Sequence, residues 1–243
     1  DMCFYIALTM PSYLYFIFKK PKTYLTWFLM ILPLTAVILS KSRGGVIGFA
    51  VVVIGLILFL VLKGNKKHLT HGLVFLTLTL TIFWINREIF HIWWEFFLES
   101  WSEDLNDFST GRIAIYQNGL MMFQDYPLFG AGWYSIQRLY PGARMYMYHS
   151  TLIHVLATMG LFGLSALIVH YTQIAKFFLK EVTLEKTLFL IGYLASQVHG
   201  LIDNVQYAVP YSVLIVLILS VFENSDKKTS FELIDQRYHY IEK

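Results

Sequence analysis

Seven apolar segments, each about long enough to cross a bilayer, constrain the fold of this chain more than any other feature. They lie at about 2–18, 24–40, 44–62, 69–86, 150–175, 186–202 and 207–222. A helix of about 17–25 mostly apolar residues spans the hydrocarbon core. Only 14% of the residues are charged, against about 25% in soluble domains. We therefore predict an all-α integral membrane protein with about seven transmembrane helices.

The basic residues are divided unequally between the connections that join these segments. Thirteen of the 19 lysines and arginines follow the first, third and fifth segments or lie in the C-terminal tail. Lysine and arginine concentrate in cytoplasmic loops, so we predict that these connections are cytoplasmic. The other six are Lys41, Arg43, Arg87, Arg112, Arg138 and Arg144. They and the turn at 201–206 would then face the extracytoplasmic side.

The segments divide the chain into four regions. Residues 1–86 hold helices one to four, 87–149 form an extracytoplasmic loop, 150–222 hold helices five to seven, and 223–243 form a cytoplasmic tail. The first helix begins at Asp1 inside an apolar run, with no signal-peptide pattern, so we expect it to be truncated. The chain would then be the C-terminal part of a longer membrane domain.

The loop is too long for a structureless connection, and we expect short helices within it. Its aromatic stretch at 88–100 is typical of a helix in the headgroup region. A second helix is predicted at about 111–124, capped by Ser109 or Thr110. Its predicted packing face consists of Ile113, Tyr116, Leu120 and Phe123.

Four residues on the predicted outer side are candidates for binding an anion or moving a proton. Arg43 and Gly44 begin the third segment, where a guanidinium and a glycine backbone suit a phosphate. Arg112 lies in the first turn of the loop helix, where the helix N-terminus also favours an anion. His149 precedes the fifth helix, which Ser150 and Thr151 would cap, and imidazole is a common general base.

Asp203 at the end of the sixth segment is a further candidate. It would orient an acceptor, pair with an arginine across the bundle or simply cap the seventh helix. A zinc site built from His149, His154, His199 and Asp203 is conceivable, but the characteristic metal-binding spacing is absent. We therefore expect no metal and no cofactor. The single Cys3 excludes an internal disulfide, and a net charge of +3 gives no indication of nucleic acid.

In this order, SRGG at 42–45, GR at 111–112, YPLFGAGWYS at 126–135 and HSTLIHVLATMGLFGL at 149–164 resemble the O-antigen ligase and polysaccharide polymerase family. The resemblance covers about residues 25–205. It implies a bacterial integral-membrane glycosyltransferase that acts on undecaprenyl-pyrophosphate-linked glycans. The family typically has asparagine after the loop-end histidine, where this chain has Ser150.

The resemblance also implies a role for each candidate residue. Arg43 and Arg112, with Gly44, would bind the pyrophosphate, His149 would be the catalytic base, and Asp203 would contact the acceptor. The reaction would be metal-independent and would invert the anomeric carbon. The site would face outward from the bacterial plasma membrane, and polysaccharide-assembly proteins would be its partners.

Three readings of the function stay open. Within the family, the chain would either polymerise repeat units or ligate a finished glycan, and its Lys-, Ile-, Phe- and Tyr-rich composition slightly favours polymerisation. A glycolipid transporter or flippase is the first alternative, although such proteins usually carry intramembrane charges. A structural envelope protein is the second.

Overall fold

The computed structural model describes residues 3–19, 24–40, 42–92, 95, 98, 109, 111–133 and 147–241, without the side chains of 24, 43 and 226–241. All principal elements of these ranges are helical, as predicted. They are α1 (Cys3–Lys19), α2 (Tyr24–Leu39), α3 (Arg43–Lys63), α4 (Lys66–Ile85), α5 (Arg112–Asp125), α6 (Thr151–Lys180), α7 (Leu184–His199) and α8 (Val209–Ile241).

Helices occupy the positions of all seven predicted segments. Three of them are long and apolar enough to cross a membrane, over Gly44–Lys63, Lys66–Ile85 and Thr151–Lys180, and the chain is therefore a membrane protein. Leu25–Leu39 and Val209–Ser225 are shorter apolar helices, so the number of crossings stays a prediction. The chain forms two compact units, Asp1–Val205 and Gln206–Lys243. In the second unit, α8 continues to Ile241 through the predicted tail.

The predicted aromatic helix of the loop falls only partly within the described residues. Residues 87–92 are helical, whereas Trp93, Trp94, Phe96, Phe97 and Trp101 lie outside the described part of the chain. The described part of this segment therefore agrees with a helix, and the position of its aromatic side chains stays a prediction.

In the first unit, α1 to α4 supply most of the buried apolar core, and α7 packs against α1 and α3. Gly192 of α7 approaches the backbone of α1 so closely that a Cβ there would collide with the Leu8 carbonyl oxygen. Gly48 of α3 lies opposite Ala195, whose carbonyl oxygen would be 3.3 Å from an added Cβ. Small residues let membrane helices pack backbone to backbone, and this packing fixes the position of the end of α7.

Helix α5 packs against α6, but through a different face from the one predicted. Its buried residues are Ile115, Gly119 and Met122, while Leu120 is 42% exposed. A Cβ on Gly119 would collide with Ile153 of α6. The prediction was wrong because it counted only large apolar residues, whereas the contact is closest where a glycine removes the side chain.

Helix α6 is interrupted at Gly160, which has φ 61° and ψ −151°. Residues 127–132 fill the break with four backbone hydrogen bonds: Ala131 N to Ala157 O (2.8 Å), Gly132 N to Thr158 O (3.1 Å), Leu161 N to Pro127 O (2.9 Å) and Phe162 N to Leu128 O (3.1 Å). Polar backbone groups at membrane depth must be paired within the protein. The PLFGAG stretch therefore completes the broken helix.

Gly130→Ala should destabilise the protein more than Gly132→Ala does. Both glycines have positive φ, 70° and 87°, so each alanine costs about 1–2 kcal/mol of backbone strain. A Cβ on Gly130 would also collide with the backbone of Thr158 and Met159, whereas nothing lies within 4 Å of one on Gly132. The measurement is the folded fraction of the detergent-solubilised full-length protein after heating, and equal losses would contradict this view of the break.

Candidate active site

The candidate site is centred on the carboxylate of Asp203, just beyond the end of α7. Its Oδ1 lies 3.8 Å from Nδ1 of His149, and its Oδ2 lies 3.7 Å from Nε2 of His199. These are ion-pair separations, somewhat longer than hydrogen bonds. One carboxylate therefore lies between two imidazoles, one at the start of α6 and one at the end of α7.

The turn that carries Asp203 is held by backbone contacts to the start of α6. Thr151 N donates to Gly200 O at 2.8 Å, and the Thr151 hydroxyl donates to the carbonyl of Asp203 at 3.3 Å. The N–H of Asn204 donates to Oδ1 of the carboxylate at 2.8 Å. Asp203 is therefore fixed relative to α6, and within the described part of the chain its carboxylate lies against His149, His199 and the N–H of Asn204.

The surroundings of Asp203 favour its charged form. Burial acts to raise the pKa of this carboxyl, but His149, His199 and the N–H of Asn204 lower it by more, so that the pKa lies well below its ordinary value. Because the side chain is only 21% exposed, water screens these interactions weakly. Asp203 therefore carries a fixed negative charge at neutral pH.

His149 has a strained backbone and an accessible ring. Its φ is 46°, the only positive value at a non-glycine residue in the described part of the chain. Its side chain is 42% exposed. Its carbonyl accepts a hydrogen bond from the hydroxyl of Tyr116 on α5 at 2.9 Å. With Nδ1 directed at Asp203, the other ring nitrogen, Nε2, lies on the side away from the carboxylate.

Helix α5 joins the cluster through two residues on one face, Arg112 and Tyr116. Nη1 of Arg112 donates to the carbonyl of Ile202 at 2.9 Å, beside Asp203 in sequence. Burial raises the pKa of Tyr116, with Asp203 adding to this effect and Arg112 opposing it, so its hydroxyl stays a donor. Arg112 and Tyr116 therefore fasten α5 to the two segments that carry Asp203 and His149.

The predicted cap of α5 is confirmed in part. Ser109 accepts a hydrogen bond from the N–H of Ile113 at 3.1 Å, although the residue directly before the helix is Gly111, with φ 78°. Thr110 lies outside the described residues. The predicted cap of α6 is also present, since Ser150 Oγ accepts from Ile153 N at 3.5 Å.

The first turn of α3 reaches the same cluster. Ser42 caps this helix by accepting from Gly45 N at 3.1 Å. A Cβ on Gly44 would lie 2.9 Å from Cε1 of His199 and 3.0 Å from Cδ1 of Ile202. The backbone of Arg43 is therefore next to the site, while its side chain lies outside the described part of the structure.

His154, the other histidine considered for a metal site, is not part of the cluster. It is buried in α6, edge-on to Trp133 at 5.0 Å between ring centroids. No group of three His, Cys, Asp or Glu residues within the described ranges has a metal-binding arrangement. Gly44, Arg112, His149 and Asp203 therefore lie close together, and the backbone of Arg43 lies next to them. His154 lies outside this group.

Sequence reasoning missed the part that two residues, Tyr116 and His199, play here: His199 was considered only as a zinc ligand, and Tyr116 only as a packing residue. Tyr116 was predicted to be a packing residue of α5, but its hydroxyl donates a hydrogen bond to the backbone carbonyl of His149. His199 precedes Asp203 by four residues, a spacing at which helical side chains meet. The four-residue spacing indicated that His199 and Asp203 could meet. It was easy to overlook because α7 ends at His199, before Asp203.

Asp203→Asn should destabilise the protein at pH 7 by about 1.5–3 kcal/mol, the usual value of hydrogen bonds to a charged group. Because the folded pKa lies below the unfolded value of about 3.9, the contribution of the charge is complete above that value. It is lost as the pH falls further towards the folded pKa. Thermal unfolding at pH 7 and pH 3 checks this, with Asp125→Asn as an exposed control.

The expected difference between wild type and Asp203→Asn is large at pH 7 and smaller at pH 3, and the control should match wild type at both. A difference that is equal at the two pH values would show that the charge of Asp203 does not stabilise the fold.

Comparison with known proteins supports the resemblance seen in the motifs. The family model described as O-antigen ligase matches residues 28–168, more than half of the chain. No curated protein and no solved structure matches the chain. The matched range includes Gly44, Arg112 and His149 and ends before His199 and Asp203. The chain belongs to the O-antigen ligase family.

Proposed function

We propose that this protein transfers a glycan from undecaprenyl pyrophosphate to an acceptor hydroxyl, with the cluster around Asp203 as its active site. One observation carries the proposal: Arg112, the Asp203–His149 pair and the first turn of α3 lie together at one end of the first unit. They combine groups for binding an anion with a group for removing a proton. Family membership supports a glycosyltransferase role in O-antigen assembly.

Arg43 and Arg112 bind the pyrophosphate of the lipid donor in this proposal. Negative charge grows on the leaving oxygen as the glycosidic bond breaks, and a fixed guanidinium stabilises it without reorganisation. Such donors contribute about 2.7–4 kcal/mol each in well-studied sites. Gly44 brings the start of α3 close to the cluster, and in this proposal Arg43, the residue before it, supplies the second guanidinium.

His149 acts as the general base. The Asp203 carboxylate holds Nδ1, which leaves Nε2 to accept the proton of the acceptor hydroxyl, as in other histidine–carboxylate pairs. The acceptor oxygen then bonds to the anomeric carbon while the bond from that carbon to the pyrophosphate oxygen breaks. The electron pair leaves with the pyrophosphate, and attack from the opposite side inverts the carbon. In this proposal Asp203, next to His149, also contacts the acceptor sugar.

The distribution of lysine and arginine supports an orientation in which this site faces outward from the bacterial plasma membrane. On this side the protein meets donors that have already been flipped across the bilayer, together with polysaccharide-assembly proteins. Polymerisation into a capsule or exopolysaccharide is favoured over ligation by composition alone. Lipid-linked repeat units without another acceptor distinguish the two: a polymerase gives a ladder of lengths, and a ligase gives one shifted product after its acceptor is added.

His149→Ala should lower the rate of glycan transfer by at least about 100-fold, the lower range for general-base catalysis, and leave binding of the lipid donor intact. Transfer is measured by the gel assay and binding by competition with a labelled lipid pyrophosphate. His91→Ala, at an exposed histidine of the loop, is the control and should match wild type. Loss of donor binding in His149→Ala would make this residue a substrate contact instead of a base.

Arg112→Lys should lower transfer by about 100-fold or more, because lysine keeps the charge but not the planar fork of donors. Arg87→Lys is the matched control, since Arg87 lies over the ring of Trp84, a contact unrelated to the cluster around Asp203. The measurement is the initial rate in the same gel assay. A lysine variant at the wild-type rate would rule out recognition by a guanidinium fork at this position.

A further inference from the structure

We propose that His199 is a positioning residue of this site: it holds the Asp203 carboxylate in the orientation that directs His149, and it connects that carboxylate to the first turn of α3. The inference rests on the proposed function, because positioning is defined by the reaction that His149 performs. It adds a residue beyond the matched range of the family model.

The two imidazoles use different oxygens of the carboxylate. His149 lies at Oδ1 and His199 at Oδ2, so each constrains one edge of the group. Nε2 is the nitrogen of His199 that faces Asp203, and a carboxylate accepts, so we assign the proton to Nε2. Asn204 N–H also donates to Oδ1, and rotation of the carboxylate would move its oxygens away from both imidazoles.

Burial separates the roles of the two histidines. The side chain of His149 is 42% exposed, whereas that of His199 is 1% exposed. His199 is therefore too buried to contact an acceptor sugar, and its Nε2 faces Asp203. These facts suit a group that acts through Asp203 and not one that touches substrate.

Three helices fix the ring of His199. It belongs to the last turn of α7, and Phe4 of α1 lies edge-on to it at 5.8 Å between centroids. Gly44 of α3 lies against the same edge of the ring as Asp203, since a Cβ there would be 2.9 Å from Cε1 and 3.1 Å from Nε2. Because the ring of His199 is held by α1, α3 and α7, the packing of these helices also sets the position of the Asp203 carboxylate.

The contact with Gly44 also joins the two halves of the proposed reaction. Gly44 follows Arg43 directly, so the turn of α3 that binds the donor touches the histidine that holds Asp203. A Cβ at this position would require the ring of His199 or the side chain of Ile202 to shift. The absence of a side chain at position 44 is therefore needed for orienting His149 as well as for approaching a phosphate.

The test compares His199→Gln with His199→Asn in the full-length protein. The amide nitrogen of glutamine falls close to the position of Nε2, whereas that of asparagine falls close to Nδ1 and cannot reach Asp203. Both variants are polar and of similar size, so a purely structural role would affect them alike. The readouts are kcat and KM for the lipid-linked donor, with size exclusion as a check of folding.

We expect His199→Asn to lower kcat by about 10–100-fold, the effect of a small misplacement of a catalytic group, with KM within about threefold of wild type. His199→Gln should retain kcat within about fivefold. In a His149→Ala background the asparagine change should have no further effect. Gly44→Ala leaves His199 in place but adds a methyl group against its ring, and it should also lower kcat.

Equal values of kcat for folded glutamine and asparagine variants would overturn the proposal, as would a change confined to KM. If neither histidine variant folds, an undiminished kcat in Gly44→Ala or a change confined to KM overturns it, and a lowered kcat with an unchanged KM supports it. Failure of the proposed function has a different signature, because wild type itself would then give no glycan product. A wild type that transfers and depends on His149, with a fully active His199→Asn, would reject only the positioning role.

Discussion

The charge of the partly buried Asp203 carboxylate is the constraint on which the site depends. Removing a charge from water costs several kcal/mol unless partners compensate for it, and here the partners are His149, His199 and the N–H of Asn204. They come from the start of α6, the end of α7 and the turn that follows. Because none of these segments supplies a complete environment for the charge alone, the fold must bring them together before Asp203 can ionise favourably.

Close backbone packing makes this assembly possible. Gly192 and Gly48 let α7 approach α1 and α3, and Gly119 lets α5 approach α6. The break of α6 at Gly160 admits residues 127–132, whose hydrogen bonds replace those that the helix loses. Short contacts between main chains are more rigid than contacts between long side chains, so the glycines set the relative positions of the helices that carry the site.

The sequence predicted the parts of this structure that depend on local pattern. Apolar segments of membrane length became helices, Ser150 became a cap, and Arg112, His149 and Asp203 came together because each lies at the end of an element on one predicted side. It did not predict the packing face of α5, the break at Gly160 or the role of Tyr116. These depend on which backbones touch, and a pattern of large apolar residues contains no information about where a glycine permits contact.

The most direct measurement is an experimental structure of the full-length protein with a bound lipid pyrophosphate. The central proposal is that one cluster around Asp203 binds the donor and orients the base. It predicts that the pyrophosphate lies within hydrogen-bonding distance of the guanidinium groups of Arg112 and Arg43, with Nε2 of His149 directed at the acceptor side of the anomeric carbon. A pyrophosphate bound away from this cluster, or a His149 ring turned away from the sugar, would contradict it.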